Sequence, residues 1–365
     1  MKTKVLAMYL PQYHEIPENN EWWGEGFTEW TNVKTGEPLF EGHYQPRIPL
    51  NNNYYDLSNP NVMLNQMNLA REYGVDGFCI YHYWFNGKKL LERPVEQLLQ
   101  YDETPIDYCL CWANESWTKT WDGLDGAKDV LISQVYGDVK DWENHFSYYL
   151  QFFKKRNYIK YDNKPVLCIY NPHVIEKYNE MIVYWDKLAK NNGFDGIYII
   201  CARRFPTFDD DYVADSYYDF EPFATKACID GTEEELFQNR KIGNRDDNMY
   251  SYYNSYDCEA ICKRITEKYC GSGDTHLLGM FVGWDNTARR GLNPTGIFEN
   301  MTPEIFEKYF RIQYQKSVTL RKSFIFINAW NEWGEGTYLE PDSKYGYKFL
   351  EAIKKVRNEV NVHEN

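Results

Sequence analysis

The sequence has no apolar run long enough to span a bilayer, and it does not open on a signal peptide. Met1–Lys4 lead directly into a short strand-like segment without the apolar core of such a peptide. The nine cysteines are scattered, with no CxxC pair and no His/Cys ligand spacing, which predicts reduced thiols and no structural zinc. We therefore expect a cytoplasmic protein with no membrane span and no metal.

Positive charge is also scarce. The chain carries 40 Lys and Arg against 54 Asp and Glu, a net charge of −14. This balance argues against nucleic acid or an anionic membrane as a partner, because phosphate groups bind positive surfaces. No GxGxxG or other Gly-rich phosphate loop follows a strand, and no HExxH occurs. The DxD-like run Asp209–Asp211 is interpreted as a solvated acidic loop, and we expect no cofactor.

Aromatic residues, in contrast, are abundant. They make up 18% of the 365 residues, with 32 Tyr and 12 Trp. Many must lie in the core, which a chain of this length can make large. The excess fits a ligand that is bound by stacking on flat apolar rings.

Apolar segments of strand length alternate with amphipathic helical segments along the chain. Buried-type strands between helices indicate a parallel sheet, and eight of them predict a (β/α)8 barrel that forms one domain over residues 1–365. The alternative is a doubly wound open sheet, which the missing GxGxxG disfavours. The predicted strands are Lys4–Leu10, Asp76–Trp84, Tyr108–Asn114, Pro165–Asn171, Gly196–Ala202, Ala214–Pro222, Leu277–Trp284 and Ser323–Trp330.

The connections are predicted to be helical except in two places. The segment 12–47 is expected to be a long irregular loop, and the polar insertion 231–248 is expected to be flexible. The predicted helices are 62–73, 90–100, 139–155, 178–191, 251–269, a helix that starts at Pro303, and 345–358.

The segment after the last predicted strand, Asn328–Asp342, combines two carboxylates with tryptophans and glycines. Glu332 and Glu335 flank Trp333, and the glycines of the segment allow a sharp turn close to a ligand. Sugar cleavage requires this mixture, because carboxyl groups move protons and apolar rings hold the sugar. The alternative is a solvated turn with inactive glutamates. For the whole cluster at a strand end we favour a catalytic site.

Other polar and aromatic residues collect at the ends of the predicted strands. Reactive residues of a (β/α)8 barrel lie at the C-terminal ends of its strands, so we expect substrate contacts there. The candidates are Tyr9, Gln12, His14, Tyr81, His82, Tyr83, Trp84, Trp112, Asn114, Glu115, Tyr170, Arg203, Glu221, Trp284, Asp285, Asn331 and Trp333. From the irregular segment, Trp22, Trp23 and Trp30 are predicted to form a wall of the sugar cleft.

Several candidates have a structural alternative. These alternatives are a core histidine for His82, a salt bridge to Lys119 for Glu115, a plain strand end for Glu221 and an Asx turn with Thr287 for Asp285. His43 is expected to pin its own loop rather than to bind substrate.

Motifs from the first strand to the last resemble those of the WbsX family. They are Tyr9–His14, Glu21–Asn32, Gly42–Pro46, Asp76–Phe78 with Tyr81–Trp84, Cys111–Glu115 and Asn328–Gly336. This family is described as glycosyltransferase-like and is associated with gene clusters for lipopolysaccharide O-antigen and other surface polysaccharides. The resemblance implies an oligosaccharide or polysaccharide substrate.

The chain is also similar to glycoside hydrolase family 99, the endo-α-mannosidases and endomannanases, which are (β/α)8 barrels with an Asn-Glu-Trp-x-Glu-Gly motif. Asn331–Gly336 matches that motif. The resemblance implies that Glu332 takes the proton of the sugar 2-hydroxyl, whose oxygen attacks the anomeric carbon. Glu335 would protonate the leaving oxygen and later activate water. The hydrolases have a histidine where Gly334 stands, and their mannose specificity is not carried over.

The spacing of the two glutamates supports this chemistry independently. Two acids three residues apart on a tight turn can approach the same substrate atom, and a close pair should split in pKa into one proton donor and one base. Close carboxyls favour retention of configuration. We expect an enzyme that cleaves or transfers glycosidic bonds. The alternatives are a nucleotide-sugar transferase and a carbohydrate-binding barrel without catalysis.

Overall fold

Eight parallel strands form a closed barrel in the computed structural model, which describes residues 2–119, 130–204, 212–229, 237–244 and 249–362. The strands are β1 (Lys4–Tyr9), β2 (Gly77–Phe85), β3 (Asp107–Trp112), β4 (Lys164–Ile169), β5 (Tyr198–Arg203), β6 (Ser216–Asp219), β7 (His276–Phe281) and β8 (Phe324–Asn328). Each strand pairs with the next, and β1 pairs with both β2 and β8, which closes the sheet. The predicted (β/α)8 barrel is confirmed, and the open sheet is excluded.

Helices cover the outside of the barrel, so the strands are buried on both faces. The larger helices are Pro60–Glu72, Val139–Phe153, Tyr178–Asn191, Cys258–Glu267, Pro303–Thr319 and Lys348–Val362; shorter ones are Arg93–Gln97, Phe223–Lys226 and Thr287–Arg290. Side chains cap several of them: the Asn59 side chain accepts from the Asn61 N–H at 3.1 Å, immediately before Pro60. Asn and Pro are favoured at these positions because the first helical N–H groups lack partners inside the helix.

The segment predicted to be irregular contains two short helices, Pro17–Trp23 and Glu29–Thr35. The prediction of a loop without secondary structure was wrong at these residues. Pro17 stands at the start of the first helix, and Thr28 and Thr31 form a reciprocal capping box at the start of the second. These are ordinary start signals, which the density of tryptophan and glycine in the segment obscures in the sequence.

A small second sheet corrects another prediction. The expected helix 251–269 begins only at Cys258, because Met249–Asp257 is a strand. It pairs antiparallel with Phe237–Asn244 and parallel with Ile297–Glu299. Residues 237–244 of the supposedly flexible insertion are therefore in a hairpin, and the rest of that insertion lies outside the described residues, as does Asp209–Asp211.

Three further observations concern the helix predicted after β2, the state of the cysteines and the predicted lack of a membrane span. The helix predicted over 90–100 is confirmed in its later part, as the helix Arg93–Gln97 followed by a 3₁₀ turn at Leu98–Gln100. Its predicted start is wrong, because Leu90 ends a short strand, Lys88–Leu90. All nine cysteines are free thiols. Across the described ranges, no helix has both the length and the apolar character needed to cross a membrane.

Candidate active site

A cavity of about 320 Å³ opens at the C-terminal ends of the barrel strands. It combines aromatic rings with three carboxylates and three arginines, a lining that can hold a polar ligand with apolar faces. Seven of the predicted site residues line it: Tyr81, Tyr83, Glu115, Tyr170, Trp284, Glu332 and Glu335.

The backbone after β8 places the two glutamates in this cavity. Asn331–Glu332 pairs antiparallel with Thr337–Tyr338, and the 3₁₀ turn Trp333–Glu335 connects them. Gly336 closes the turn with φ +65°, and a Cβ there would lie 2.9 Å from a backbone oxygen. Only glycine fits such a position without strain. The glutamates therefore project from a compact turn rather than from a loose loop.

Two predicted site residues hold this turn from behind and do not line the cavity. The Asn331 side chain accepts from the Leu10 N–H at 2.7 Å and donates to the Leu10 carbonyl at 3.0 Å. The Trp333 indole stacks on Tyr338 with ring centroids 3.7 Å apart, and its Nε1–H donates to Glu340 at 2.7 Å. Both side chains are buried and act as supports in this structure.

A single guanidinium contacts both glutamates. Arg289 Nη1 donates to Glu335 Oε1 at 2.8 Å, and Arg289 Nη2 lies 3.6 Å from Glu332 Oε2. Its Nε and Nη2 donate to Glu29 Oε1 at 3.0 and 2.7 Å. The Arg289 and Glu29 side chains are each 2% exposed. Three carboxylates thus surround one arginine in a nearly buried cluster.

Burial dominates the electrostatics of this cluster. Burial raises the pKa of Glu332 well above its usual value, and the neighbouring Glu335 raises it further, while Arg289 lowers it. Burial also raises the pKa of Glu335, against lowering contributions from Arg289, Arg204 and Arg290. Removing carboxylates from water favours their protonated form. The pair therefore holds a proton at pH values where an exposed glutamate would be ionised.

Geometry favours Glu332 as the carrier of that proton in the substrate-free protein. Glu335 has the close ion pair with Arg289, whereas Glu332 Oε2 is buried without a hydrogen-bond partner. A close cation favours the ionised carboxyl. The resemblance implies the opposite state for the reaction, an ionised Glu332 and a protonated Glu335.

A second polar network forms the rim of the cavity. Glu115 Oε1 accepts from Arg204 Nη1 and from Asn171 Nδ2, each at 2.9 Å, and the Arg204 guanidinium lies 4.9 Å from the centre of the Tyr170 ring. Glu115 thus has Arg204 as an ion-pair partner, and its proposed pairing with Lys119 stays a prediction.

The three tryptophans of the segment 12–47 lie near this end of the barrel but do not line the main cavity. Trp22 packs edge-on against Trp117, with centroids 5.8 Å apart. Trp23 lines a small neighbouring cavity that also contacts Arg289. Trp30 is buried against Trp333, and its Nε1–H donates to the Tyr55 carbonyl at 2.8 Å. Their proposed role as a cleft wall stays a prediction.

Three more candidates lie in the layer between barrel and helices. His82 Nε2 is 2.9 Å from His145 Nε2, and Trp84 stacks on the same imidazole with centroids 4.4 Å apart. Trp112 packs edge-on against His145 as well. Burial lowers the pKa of His82 to about 3, so this histidine is neutral. The geometry of His82 matches the core-histidine alternative.

Glu221 and Asp285 also have structural partners. Glu221 accepts from the Thr225 N–H at 3.0 Å and from Lys268 Nζ at 2.7 Å. Asp285 accepts from the Thr287 N–H at 3.1 Å, the Asx turn named as its alternative, and its Oδ2 lies 2.8 Å from His43 Nε2. His43 accordingly holds its loop to the strand end after β7.

The remaining candidates do not line the main cavity. Tyr9 donates to Gln66 at 2.7 Å, and Asn114 bonds to the backbone of Asn171. The others are Gln12 in the small cavity beside Trp23, His14 in a buried position, and Arg203 at the end of β5.

Several residues of this region were not among the candidates predicted from the sequence. Glu29 lies within a motif of the resemblance but was not singled out, and its partner Arg289 is 260 residues away. Cavity-lining residues outside the predictions include Phe220, Phe223, Asn286, Arg290 and Thr295. Phe220 directly follows β6, so its strand-end position is a signal that could have identified it.

One group of metal-ligand side chains occurs among the described residues, away from the cavity. The sulfur atoms of Cys79, Cys109 and Cys168, on three neighbouring strands, lie within 4.8 Å of one another, and all three residues are fully buried. Barrel cores use cysteine as a small apolar residue, and packing explains these thiols without a metal.

A family model and a curated relative match nearly the whole chain. Residues 5–353 match the family model described as "Glycosyltransferase WbsX". An uncharacterized protein, WxcX, from Xanthomonas campestris pv. campestris is 34% identical over 354 residues, which are 96% of this chain and 49% of the relative. The chain thus spans about half the length of the curated relatives it matches.

Solved structures share the fold at low sequence identity. The GH99 endo-alpha-mannosidase from Bacteroides thetaiotaomicron, in complex with bis-tris-propane, superposes with a TM-score of 0.61 at 12% identity, covering 100% of this chain and 99% of the other. A glycoside hydrolase-like protein gives a TM-score of 0.60 at 13% identity, covering 97% and 94%. These similarities establish the architecture of the barrel.

Proposed function

The chain belongs to the glycosyltransferase WbsX family, and we propose that it is a carbohydrate-active enzyme that acts on a surface-type polysaccharide. The proposed reaction cleaves or transfers a glycosidic bond with retention of configuration at the anomeric carbon. Glu332 and Glu335 are the proposed catalytic residues.

The observation that carries this proposal is the pair of carboxyls in one cavity against one guanidinium. Arg289 lies within 4 Å of both Glu332 and Glu335, and the charge of Glu335 raises the pKa of Glu332. Tyr81 and Tyr83 present rings to the same cavity. A sugar ring can pack on such faces while its hydroxyls reach the carboxyls.

In the proposed reaction, ionised Glu332 accepts the proton of the 2-hydroxyl, and that oxygen forms a bond to the anomeric carbon. The bond to the leaving oxygen breaks as Glu335 donates its proton to that oxygen. Water or an acceptor hydroxyl then attacks the anomeric carbon and gives its proton to Glu335. The bond between that carbon and the 2-oxygen breaks in the same step, and Glu332 returns its proton to the 2-oxygen. Two displacements at one carbon give retention.

The substrate-free electrostatics add one requirement to this scheme. Because Arg289 favours an ionised Glu335, the proton of the pair must pass from Glu332 to Glu335 when the sugar binds. Both carboxyls contact the same guanidinium, so the transfer takes place within one charged cluster.

The proposal is tested with Glu332→Gln and Glu335→Gln on a panel of surface-polysaccharide oligosaccharides. Gln is nearly isosteric with Glu but cannot exchange a proton, so folding and binding should persist. We expect turnover to fall by about 10²–10⁴-fold in each variant, the usual contribution of general acid–base catalysis. We expect the turnover of the parent to have a bell-shaped dependence on pH. In each variant this profile should lose one of its two limbs.

Glu25→Gln is the matched control, because Glu25 is exposed and should leave turnover unchanged. Near-parent turnover in either of the two cavity variants would show that the substituted residue is not catalytic. If sugars bind to the parent but none is turned over, the carbohydrate-binding alternative replaces the enzyme.

A further inference from the structure

We propose that Glu29 is a positioning residue for the carboxyl pair: it fixes the Arg289 guanidinium, and glycine stands at position 334 because the Glu29 carboxylate needs that space. The inference rests on the proposed function only in taking Glu332 and Glu335 as the reacting pair.

The space beside Gly334 is filled by the carboxylate. A Cβ on Gly334 would lie 1.8 Å from Glu29 Oε1, 3.0 Å from the Glu29 carboxyl carbon and 3.2 Å from Arg289 Nη2. The backbone of Gly334 is outside the left-handed region, unlike that of Gly336. Its conformation would therefore accept another residue, and the obstacle is the side chain of Glu29. Sequence alone suggests a glycine needed for a sharp turn, which holds for Gly336 only.

The contacts of Glu29 fix the direction of the guanidinium. Glu29 Oε1 accepts from both Nε and Nη2 of Arg289, which occupies one edge of that planar group. The remaining Nη1 donates to Glu335. Two charge-assisted hydrogen bonds on one edge define the plane of an arginine side chain far better than one contact does. Arg289 is therefore aimed at Glu335 by Glu29.

Glu29 is itself held in a well-anchored element. It is the first residue of the helix Glu29–Thr35, and its N–H donates to the Gln12 carbonyl at 3.2 Å. The next residue, Trp30, is buried against Trp333. The helix thus carries Glu29 to Arg289, whose side chain lines both the main cavity and the small neighbouring cavity that Glu29 also lines.

The charged groups around the pair give this arrangement a measurable consequence. Glu335 faces Arg289, Arg204 and Arg290, and Glu332 faces Glu335, Arg289 and Glu29. Tyr13, Tyr81 and Tyr83 also interact electrostatically with Glu332, and Tyr170 interacts with Glu335. If Glu29 is displaced, Arg289 loses its anchor, and Glu335 loses the nearest positive charge that favours its ionised form.

The test is a ¹³C NMR titration of the glutamate carboxyls, with the Glu332 and Glu335 signals assigned from their Gln variants. It needs no substrate. We expect Gly334→Ala to raise the titration midpoint of Glu335 by about one pH unit, a tenfold change in the ratio of ionised to protonated carboxyl. Adding Glu29→Asp, which shortens the side chain by one methylene, should return the midpoint towards the parent value.

Gly271→Ala is the matched control, because its Cβ would meet nothing within 4 Å and its φ is not positive. Should Gly334→Ala not fold, Glu29→Gln keeps the shape and removes a negative charge that raises the pKa of Glu332. The midpoint of Glu332 should then fall.

The proposal is overturned if Gly334→Ala titrates like Gly271→Ala, if Glu29→Asp does not restore the midpoint, or if Glu29→Gln leaves Glu332 unchanged. The outcome is independent of turnover. A chain that shows these shifts but acts on no sugar keeps the positioning role and loses the proposed function.

Discussion

Among single residues, Glu340 is a buried carboxyl that accepts a hydrogen bond from the Trp333 indole. Its protonation state therefore bears on how Trp333 is held. Trp333 Nε1, Tyr55 Oη and Gln66 Nε2 donate to its oxygens at 2.7, 2.8 and 2.7 Å. Burial raises the pKa of Glu340 to about 7, although these hydrogen bonds lower it. Glu340, which lies directly behind the proposed catalytic turn, therefore changes its protonation state near neutral pH.

We expect Glu340→Gln to remove a pH-dependent loss of stability. The unfolded carboxyl releases its proton near pH ~4.3, and the folded one near its raised pKa. The folded state therefore binds more protons in that window, so stability is full below the unfolded pKa and is lost as pH rises towards the folded pKa. The loss is at most about 1.4 kcal/mol per pH unit.

Urea unfolding of parent and variant from pH 5 to pH 7 measures this difference. The parent should lose more free energy of unfolding over that range than Glu340→Gln does. Glu351→Gln, at an exposed glutamate, should follow the parent. Parallel curves for the parent and Glu340→Gln would contradict the raised pKa of this group.

The side chains around the cavity show which contacts of single residues can be predicted from a sequence. Successive side chains of a strand point to opposite faces, and Tyr81 and Tyr83 reach the cavity while His82 and Trp84 face His145 on a covering helix. Alternation alone could have separated these four candidates into two pairs. The role of Glu29 could not be predicted, because it depends on contacts across 260 residues.

At the scale of elements, strand and helix were hardest to distinguish outside the barrel. Met249–Asp257 contains several tyrosines, which suit a strand, but its sequence runs without a break into a well-formed helix. It pairs with Phe237–Asn244 in a hairpin and with Ile297–Glu299 at its far end, and the second partner is distant in sequence. The helix Tyr178–Asn191, with a plain amphipathic pattern, has the bounds that were predicted.

The helix Val139–Phe153 offers a test of a local start signal. Asp138 caps it, and its Oδ1 accepts from the Lys140 and Asp141 N–H groups at 2.9 and 3.3 Å. We expect Asp138→Ala to lower the free energy of unfolding by about 1 kcal/mol, the usual cost of a lost N-cap. Asp138→Asn should retain most of that stability. If urea unfolding gives the same value for the alanine variant and the parent, the cap does not contribute.

For the molecule as a whole, the closed barrel could be predicted because the alternation of strands and helices is visible in short stretches of sequence. Each buried strand and each amphipathic helix is recognisable in a short window, and eight repeats leave few architectures. The same reasoning placed Glu332 and Glu335 after the last strand. The residues that surround these two glutamates come from elements far apart in the chain, so their contacts could not be predicted from the sequence. That residues 1–365 form one domain stays a prediction.

A crystal structure of Glu335→Gln soaked with surface-polysaccharide oligosaccharides tests whether Glu332 and Glu335 act together on one sugar. We predict density in the main cavity, with a 2-hydroxyl in hydrogen-bond contact with Glu332 and the glycosidic oxygen beside residue 335. Reacting groups in such a complex lie about 3–3.5 Å apart. Oligosaccharide bound only outside this cavity, or bound in it with its glycosidic oxygen out of reach of both residues, would show that the two glutamates do not act on one sugar.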